Sequence, residues 1–296
     1  MRELRDLAAR LLETNDVQVV IGWEESRLGV RPAFARTPEE AGRLIFDERC
    51  VHNLAAYLHP RRKHIRALGR PAVVVKGCDA RAVAGLIRDN QLRREDVVLI
   101  GVRCAGVRDD GPAGAEAPGA GADGSGRVAE RCESCPQRTP SLCDHLVGAD
   151  APEAQPRPGL EGRVEELQAL PMAERWAFWS AAFERCVRCY ACREVCPLCF
   201  CERCVADKSI PQWIESSPHK RGNVAWHLAR ALHLAGRCVG CGECERACPA
   251  GIPLSLLNAR LQQSVRERFE FTASDDPAVA SPIGAFRQDD GQEFIR

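Results

Sequence analysis

The chain has 296 residues, 45% of them apolar and 28% charged, which is the composition of an ordinary globular protein with room for about two domains. Its 41 basic and 41 acidic side chains cancel, so no net field favours nucleic acid as a partner. No signal-peptide pattern opens the chain, and no apolar run reaches the roughly 18 residues of a membrane span. We therefore expect a cytoplasmic protein without membrane insertion.

The first half of the sequence predicts alternating helices and strands. Leucines between residues 4 and 12 indicate an amphipathic helix, and the Val-rich runs 17–21, 72–75 and 97–102 indicate strands. Residues 79–88 read as a short helix between the last two strands. A strand–helix–strand unit of this kind favours parallel pairing of its strands.

The second half predicts helices that separate cysteine-rich loops. One of these helices carries an apolar repeat at Val224, Leu228 and Leu232, and Gly236 closes it. From residue 265 onwards we find no sustained period, and scattered aromatic residues alternate there with charges and prolines. We expect residues 265–296 to form an extended tail that docks onto a partner rather than completing the core of this chain.

Seventeen cysteines are the most unusual feature of the composition. In a reducing compartment thiols stay reduced unless a metal or catalysis uses them, so a disulfide scaffold is not expected. Metal ligation is the leading explanation for this number of cysteines.

One cysteine motif, C-x-x-C-x-x-C-x-x-x-C-P, occurs twice in the second half. Its members are Cys186, Cys189, Cys192 and Cys196, and then Cys238, Cys241, Cys244 and Cys248. This is the spacing of bacterial ferredoxins, in which the fourth cysteine of each run binds the cluster of the other run. We therefore predict two [4Fe-4S] sites. The first site consists of Cys186, Cys189, Cys192 and Cys248, and the second site of Cys238, Cys241, Cys244 and Cys196.

Zinc is the alternative metal for these eight cysteines, and bound zinc would make the chain a zinc-stabilised binding module. Zinc sites usually present two C-x-x-C-like pairs separated by a longer spacer, which differs from three close cysteines followed by a fourth. Four arginines flank the cysteine loops, and they either raise cluster potentials and dock an acidic partner or are simply solvated: Arg188, Arg193, Arg237 and Arg246.

A third site is predicted in the first half. Cys78 and Cys104 each follow a predicted strand, and ligands bind beyond the carboxyl ends of strands in open parallel sheets. Cys132 and Cys135 add a C-x-x-C pair, which completes the four thiols of one cubane. The alternative is that Cys78 and Cys104 are small buried core residues.

Three more cysteines follow the first run at once: Cys199, Cys201 and Cys204. With Cys50 or Cys143 as a fourth ligand they would form a further iron–sulfur or zinc site. Alternatively, one of them replaces an assumed ligand of the first or second site.

Three segments resemble the cluster-binding segments of the FrhB/FdhB family, the beta subunits of deazaflavin-coenzyme hydrogenases and dehydrogenases. They are Lys-Gly-Cys78-Asp, Val-Arg-Cys104-Ala-Gly-Val and Cys132-Glu-Ser-Cys135-Pro. The resemblance covers residues 17–147 and implies an FAD beside the third site that exchanges hydride with the deazaflavin coenzyme. This chain departs from the family by carrying its ferredoxin module after that part. The whole layout also resembles the dicluster subunits that accompany HdrA-like flavoproteins and formate dehydrogenases in anaerobes, which implies partners of those kinds.

The fold class we predict is an α/β N-terminal domain with a small parallel or mixed sheet, followed by a mainly α-helical, ferredoxin-like domain with two clusters. The predicted divisions are the α/β domain at 1–150, a linker at 151–170, the dicluster domain at 171–264 and the tail at 265–296.

The function we expect is that of an iron–sulfur electron-transfer subunit in an anaerobic oxidoreductase complex. It would relay single electrons between a flavoprotein of the HdrA-like kind, or a dehydrogenase or hydrogenase subunit, and an acceptor that the sequence does not name. No Ser/His/Asp set, carboxylate pair or phosphate loop indicates hydrolytic or transferase chemistry, so we assign no catalytic residue. The alternative is a flavin-dependent oxidoreductase of deazaflavin coenzyme or ferredoxin with a catalytic FAD of its own.

Overall fold

A computed structural model of the chain describes residues 1–108, 128–148, 159–215, 217–284 and 288. Within these residues six strands form one mixed sheet: β1 (Val19–Ser26), β2 (Gly29–Ala35), β3 (Leu44–Ile45), β4 (Pro71–Val75), β5 (Val98–Val102) and β6 (His145–Val147). The strand order is β2-β1-β4-β5-β6, and β3 pairs with β1. Strands β1, β4, β5 and β6 run parallel, whereas β2 and β3 are antiparallel to β1. The predicted α/β class with a mixed sheet is confirmed.

The described helices lie around the sheet and throughout the second half. They are α1 (Arg2–Glu13), α2 (Pro38–Ala41), α3 (Lys63–Arg66), α4 (Gly77–Arg88), α5 (Glu130–Glu133), α6 (Gly159–Ala169), α7 (Met172–Glu184), α8 (Ala191–Glu194), α9 (Lys220–Leu234), α10 (Glu243–Arg246) and α11 (Leu254–Phe269). Short 3-10 turns occur at Leu54–Leu58, Arg94–Asp96 and Val205–Asp207. None of the helices that the structure describes combines the length and the apolar composition needed to cross a bilayer.

Strands β4 and β5 form the middle of the sheet. Both are nearly continuous apolar runs and are buried along almost their whole length, as expected for parallel strands covered on both faces. Helix α4 begins directly after β4 and returns the chain to β5, so the predicted strand–helix–strand unit with parallel pairing is confirmed. Its consequence is that the chain segments after β4 and β5 leave the sheet at the same edge.

The hydrophobic core of the sheet continues into the cysteine-rich half. Leu198, Leu234 and Val239 are buried in the same cluster as the strands. The His59 Nε2 atom lies 2.6 Å from the carbonyl oxygen of Pro197, which joins the two halves at the end of the first cysteine run. Helix α6 occupies residues that we predicted as a linker. The exact domain boundaries remain a prediction.

The segment after residue 265 differs from the extended tail expected from the sequence. Helix α11 continues to Phe269, and Val265, Phe271 and Ala273 are buried in the main core. The Asp275 carboxylate accepts hydrogen bonds from Gln137 Nε2, from the backbone N–H and hydroxyl of Ser141 and from the backbone N–H of Leu142. Polar contacts therefore fix a stretch that has no apolar period. Residues 285–287 and 289–296 lie outside the described residues, and docking of this end onto a partner remains a prediction.

Replacing Asp275 with alanine is expected to lower the free energy of unfolding by about 2 kcal/mol, because two backbone N–H groups would lose a charged acceptor. Urea unfolding of the anaerobic protein measures this effect. The neighbour Asp276 is the matched comparison: its carboxylate is exposed and accepts from one backbone N–H, that of Ala278, so its change to alanine should lower the free energy of unfolding by no more than about 1 kcal/mol. Equal effects of the two substitutions would contradict the anchoring role of Asp275.

Candidate iron–sulfur centres

The two cysteine loops share an unusual backbone. Gly240 and Gly242 of the second loop have φ angles of 68° and 73°, and the equivalent Arg188 and Tyr190 of the first loop have 57° and 60°. Left-handed backbone costs a non-glycine residue about 1 kcal/mol or more. Each loop then enters a short helix, α8 or α10, that begins directly after its second left-handed residue. The repetition of this backbone conformation, even at non-glycine residues of the first loop, indicates that both loops are shaped for the same kind of ligand.

The second site is a single pocket. Its lining includes all four predicted thiols, from Cys196, Cys238, Cys241 and Cys244. Each of the last three interacts electrostatically with Cys196, the cysteine taken from the other run. Burial raises the pKa of the Cys238 thiol to about 11. Because iron binds the thiolate, loading of this pocket requires the release of protons that burial would otherwise retain.

The first site gathers its four predicted cysteines in the same crossed manner. Cys186 and Cys192 both interact with Cys189 and with Cys248 of the other run. Cys192 and Cys248 are buried, whereas Cys189 is exposed. Burial raises the pKa of Cys192 to about 11. The geometry agrees with the crossed pairing, although which thiol binds which cluster remains a prediction.

Side chains of the long helices hold both loops in place. Asn223 Nδ2 donates to the carbonyl oxygen of Cys186 at 2.9 Å, and Arg230 Nη2 donates to that of Cys192 at 2.9 Å. From helix α11, Gln262 Nε2 donates to the carbonyl oxygen of Cys238 at 2.7 Å. These contacts order the loop backbones without using the thiols, which remain available to a ligand.

The third site lies where β4 and β5 end. One pocket is lined by the four predicted cysteines, Cys78, Cys104, Cys132 and Cys135. Cys78 is the second residue of α4, and Cys104 is the second residue after β5, as expected for the edge of a parallel sheet. A side chain at Gly77 would overlap the carbonyl oxygen of Gln137, so glycine allows the segment after Cys135 to close over the pocket.

A buried ion pair supports this pocket. Lys76 Nζ lies 3.2 Å from an Asp79 carboxylate oxygen, and both side chains are almost completely buried. The ammonium also donates to the carbonyl oxygens of Cys50 and His52. Burial alone would lower the pKa of Lys76, but Asp79 and the thiols of Cys78 and Cys104 raise it above its ordinary range. The lysine therefore stays charged beside the third site.

The three sites form a row with the second site in the middle. On one side Cys244 interacts with Cys192 of the first site. On the other side Cys241 interacts with Cys78 and also lines the third-site pocket. The sequence placed the third site in a separate part of the chain and gave no indication of this adjacency.

The remaining cysteines do not all come together. Cys199 interacts with Cys196 and Cys204 and is half-buried, whereas Cys201 is exposed. Cys50 lies in the core of the first half, where its thiol accepts a hydrogen bond from the backbone of Asp47. The structure thus shows Cys50 in contact with residues other than Cys199, Cys201 and Cys204, with which it was predicted to form a site. Cys143 packs against Gly101 of β5.

No three His, Cys, Asp or Glu side chains among the described residues come close enough together to hold a single metal ion. A cubane needs a different geometry, because each of its four irons takes one thiolate and the thiolates stand further apart than the ligands of one ion. Four thiols around one pocket, as in the second and third sites, fit this requirement.

Helix α9 carries a buried histidine beside the first site. The ring of His227 stacks on Phe183 at a centroid distance of 4.7 Å, and neither ring nitrogen has a hydrogen-bond partner among the described residues. Burial first, and then the charges of Arg230 and Arg188, lower the pKa of His227 from 6.5 to about 4. The unfolded chain therefore binds this proton at higher pH than the folded chain, so stability is lost as the pH falls from 6.5 towards 4.

The change His227→Phe is expected to make stability less sensitive to acid. The wild type should lose about 2 kcal/mol of unfolding free energy through this residue between pH 7 and pH 5, and the variant should not. Phenylalanine keeps the stacking on Phe183 while removing the titrating ring. Urea unfolding at the two pH values measures the difference, and parallel pH profiles of variant and wild type would argue against this assignment.

Comparisons with known proteins agree with this geometry. Residues 181–252 match the model of the 4Fe-4S dicluster domain. The F420-dependent formate dehydrogenase subunit beta of Methanocaldococcus jannaschii is 35% identical over 114 residues, which are 38% of this chain and 28% of that protein. The F420-dependent formate dehydrogenase 1 subunit beta of Methanococcus maripaludis is 23% identical over 294 residues, covering 72% of this chain and 75% of that protein. The resemblance to the FrhB/FdhB beta subunits is confirmed.

The FrhB/FdhB-like part of the chain is thus joined to a dicluster ferredoxin module, as the sequence motifs predicted. The matched domain supports iron–sulfur binding by residues 181–252, and both relatives are named as subunits of oxidoreductases. The chain spans little more than a quarter of the first relative, at 28% of its length, and three quarters of the second, at 75%.

Proposed function

We propose that the chain is the electron-transfer subunit of a complex that resembles an F420-dependent formate dehydrogenase. The observation that carries this proposal is the row of three four-cysteine sites, in which the middle site contacts both neighbours. The names of the two relatives support a dehydrogenase as the partner, and an HdrA-like flavoprotein is the other partner we propose. The reducing cytoplasm is the compartment that suits so many free thiols.

The cysteines of this chain would hold the clusters, and the surrounding side chains would decide which clusters are buried and which are exposed. Bound [4Fe-4S] clusters supply one-electron transfer. The second site is lined largely by buried side chains, among them Leu198, Arg230 and Leu234, which places the middle of the row inside the protein. At the first site Cys189 is exposed, and the neighbouring Val187 is 63% exposed. An apolar side chain beside an accessible ligand fits a face on which a partner subunit docks.

The test is the composition of protein that has been purified and reconstituted without oxygen. We expect about twelve irons and about twelve sulfides per chain, little zinc, and low-temperature EPR signals after reduction. Fewer than about eight irons, or a colourless protein with stoichiometric zinc, would overturn the proposal. Co-purification with a formate dehydrogenase catalytic subunit, followed by bleaching of the clusters with formate, would test the partner.

A second candidate function is that of an oxidoreductase with its own flavin. The observation in its favour is a cavity of about 260 Å³ beside Cys238, lined in part by Arg81, Arg131 and Arg266. Guanidinium groups suit the phosphates of a dinucleotide, although this volume holds only part of one. Flavin released on denaturation of the pure protein would support this function. A loss of flavin without loss of iron in Arg131→Ala would locate it in this cavity.

A further inference from the structure

Two arginines are buried between neighbouring sites. Arg230, on helix α9, is 5% exposed, and its charge interacts first with Cys244 and Cys196 of the second site and then with Cys192 of the first. Its Nε has no hydrogen-bond partner among the described residues, although Nη2 donates to the Cys192 carbonyl oxygen. Burial alone would lower the pKa of Arg230, yet these thiolates raise it above its ordinary range.

Arg81 occupies the corresponding place on the other side of the second site. It lies on helix α4, is 7% exposed and lines the third-site pocket. Its charge interacts with Cys78 of the third site and with Cys238 of the second, and its Nε also lacks a hydrogen-bond partner in the described part of the chain. An incompletely paired cation in a protein interior is costly unless negative charge is close by. A cubane held by four thiolates is such a negative charge.

We propose that Arg230 and Arg81 are positioning residues for electron transfer, two fixed cations that are each shared by adjacent sites. Arg230 raises the reduction potentials of the second and first sites, and Arg81 raises those of the second and third. The inference rests on the proposed function, because it requires clusters in all three sites. Reduction adds negative charge to a cluster, and a nearby cation in a poorly polarisable interior stabilises the reduced form.

The other buried cations near the row differ from this pair. Lys76 beside the third site is paired with Asp79, so its charge is largely compensated. Arg188 interacts with Cys186 of the first site and donates to the carbonyl oxygen of Glu215. Neither of them is placed between two sites. Their effect on the cluster potentials should therefore stay the same when Arg230 or Arg81 is changed.

The experiment is an EPR-monitored redox titration of the full chain carrying Arg230→Gln or Arg81→Gln. Signals are assigned to sites with variants that lack one cysteine of each site. Arg230→Gln should lower the potentials of the first and second sites and leave the third unchanged. Arg81→Gln should lower the second and third and leave the first unchanged. The expected size is a tenfold or larger fall in the reduced-to-oxidised ratio at fixed potential, which is about 59 mV for one electron.

Two controls separate charge from structural damage. Arg221→Gln removes the same charge from an exposed position on the same helix, and it should shift no potential. Arg230→Lys and Arg81→Lys keep the charge and should hold potentials close to the wild type. Should a glutamine variant bind fewer irons than the wild type, the methionine variant at that position is titrated instead.

The inference is overturned if the neutral variants leave the potentials unchanged, if they shift all three sites equally, or if the lysine variants shift them as much as glutamine does. A wild type that fails to assemble three reducible clusters would instead overturn the proposed function. The two failures are therefore distinguishable in the same set of samples.

Discussion

Replacing Cys104 with alanine is expected to remove about four of about twelve irons and to leave the other two clusters in place. Cys104 follows β5 and shares its pocket with Cys78, Cys132 and Cys135, whereas the other two sites are built from the second half of the chain. A cubane that loses one of four thiolates loses one of its four covalent bonds to the chain. Iron content and EPR spectra of the reconstituted variant measure the loss.

The matched control for this substitution is Cys143→Ala. Cys143 belongs to the same half of the chain and packs against the same strand, at Gly101, but it is not part of the third-site pocket. The Cys143→Ala variant should keep the full iron content of about twelve per chain. Loss of irons from both variants would show that damage to the sheet, and not the missing ligand, was the cause. Unchanged iron in the Cys104 variant would remove this residue from the ligand set.

A pair of double variants is expected to show that the two ferredoxin-type sites exchange their fourth ligands. Cys196→Ala with Cys241→Ala should cost one cluster, because both thiols line the second-site pocket. Cys196→Ala with Cys189→Ala should cost two clusters, because Cys189 interacts with Cys186 and Cys192 of the first site. The iron counts should therefore be about eight and about four.

Local ligation within each run predicts the opposite result, since Cys196 would then belong with Cys189. The two double variants remove the same number of thiols, share one substitution and differ only in which loop carries the second. A reversal of the two iron counts would exclude the crossed arrangement, and Mössbauer spectra would show whether any partial cluster remains.

The elements that the sequence predicted best are those with a strong local signal. Strands β4 and β5 are short apolar runs with a helix between them. A helical connection of this length, with the usual right-handed crossover, favours parallel pairing of the two strands. The cysteine spacing similarly defines the two repeated loops. By contrast, Phe271 and Ala273 lie in a stretch without a period, and the hydrogen bonds at Asp275 that fix it come from residues more than a hundred positions earlier.

Helix α9 shows why the polar residues beside the cysteine loops were not predicted from the sequence. Its apolar repeat predicts a helix, but Leu228 and Leu232 are 43% and 59% exposed. The buried face carries Asn223, His227 and Arg230, which are spaced as i, i+4 and i+7 and reach the cysteine loops or the rings beside them. A polar stripe with helical spacing between two cysteine motifs was the available signal. Arg230 is buried and contacts the first cysteine loop, although no cysteine adjoins it in the sequence.

The shared core of the two halves has a consequence for how the protein matures. Cys196, Cys238 and Cys241 pack against the core of the sheet, and the ion pair between Arg237 and Asp89, at 2.9 Å, crosses the same boundary. Since metal binding free energy at a site that folding creates is also folding free energy, a cluster in the second site would also stabilise the packing of these cysteines against the sheet. Loading of the middle centre would then be coupled to formation of the boundary between the two halves.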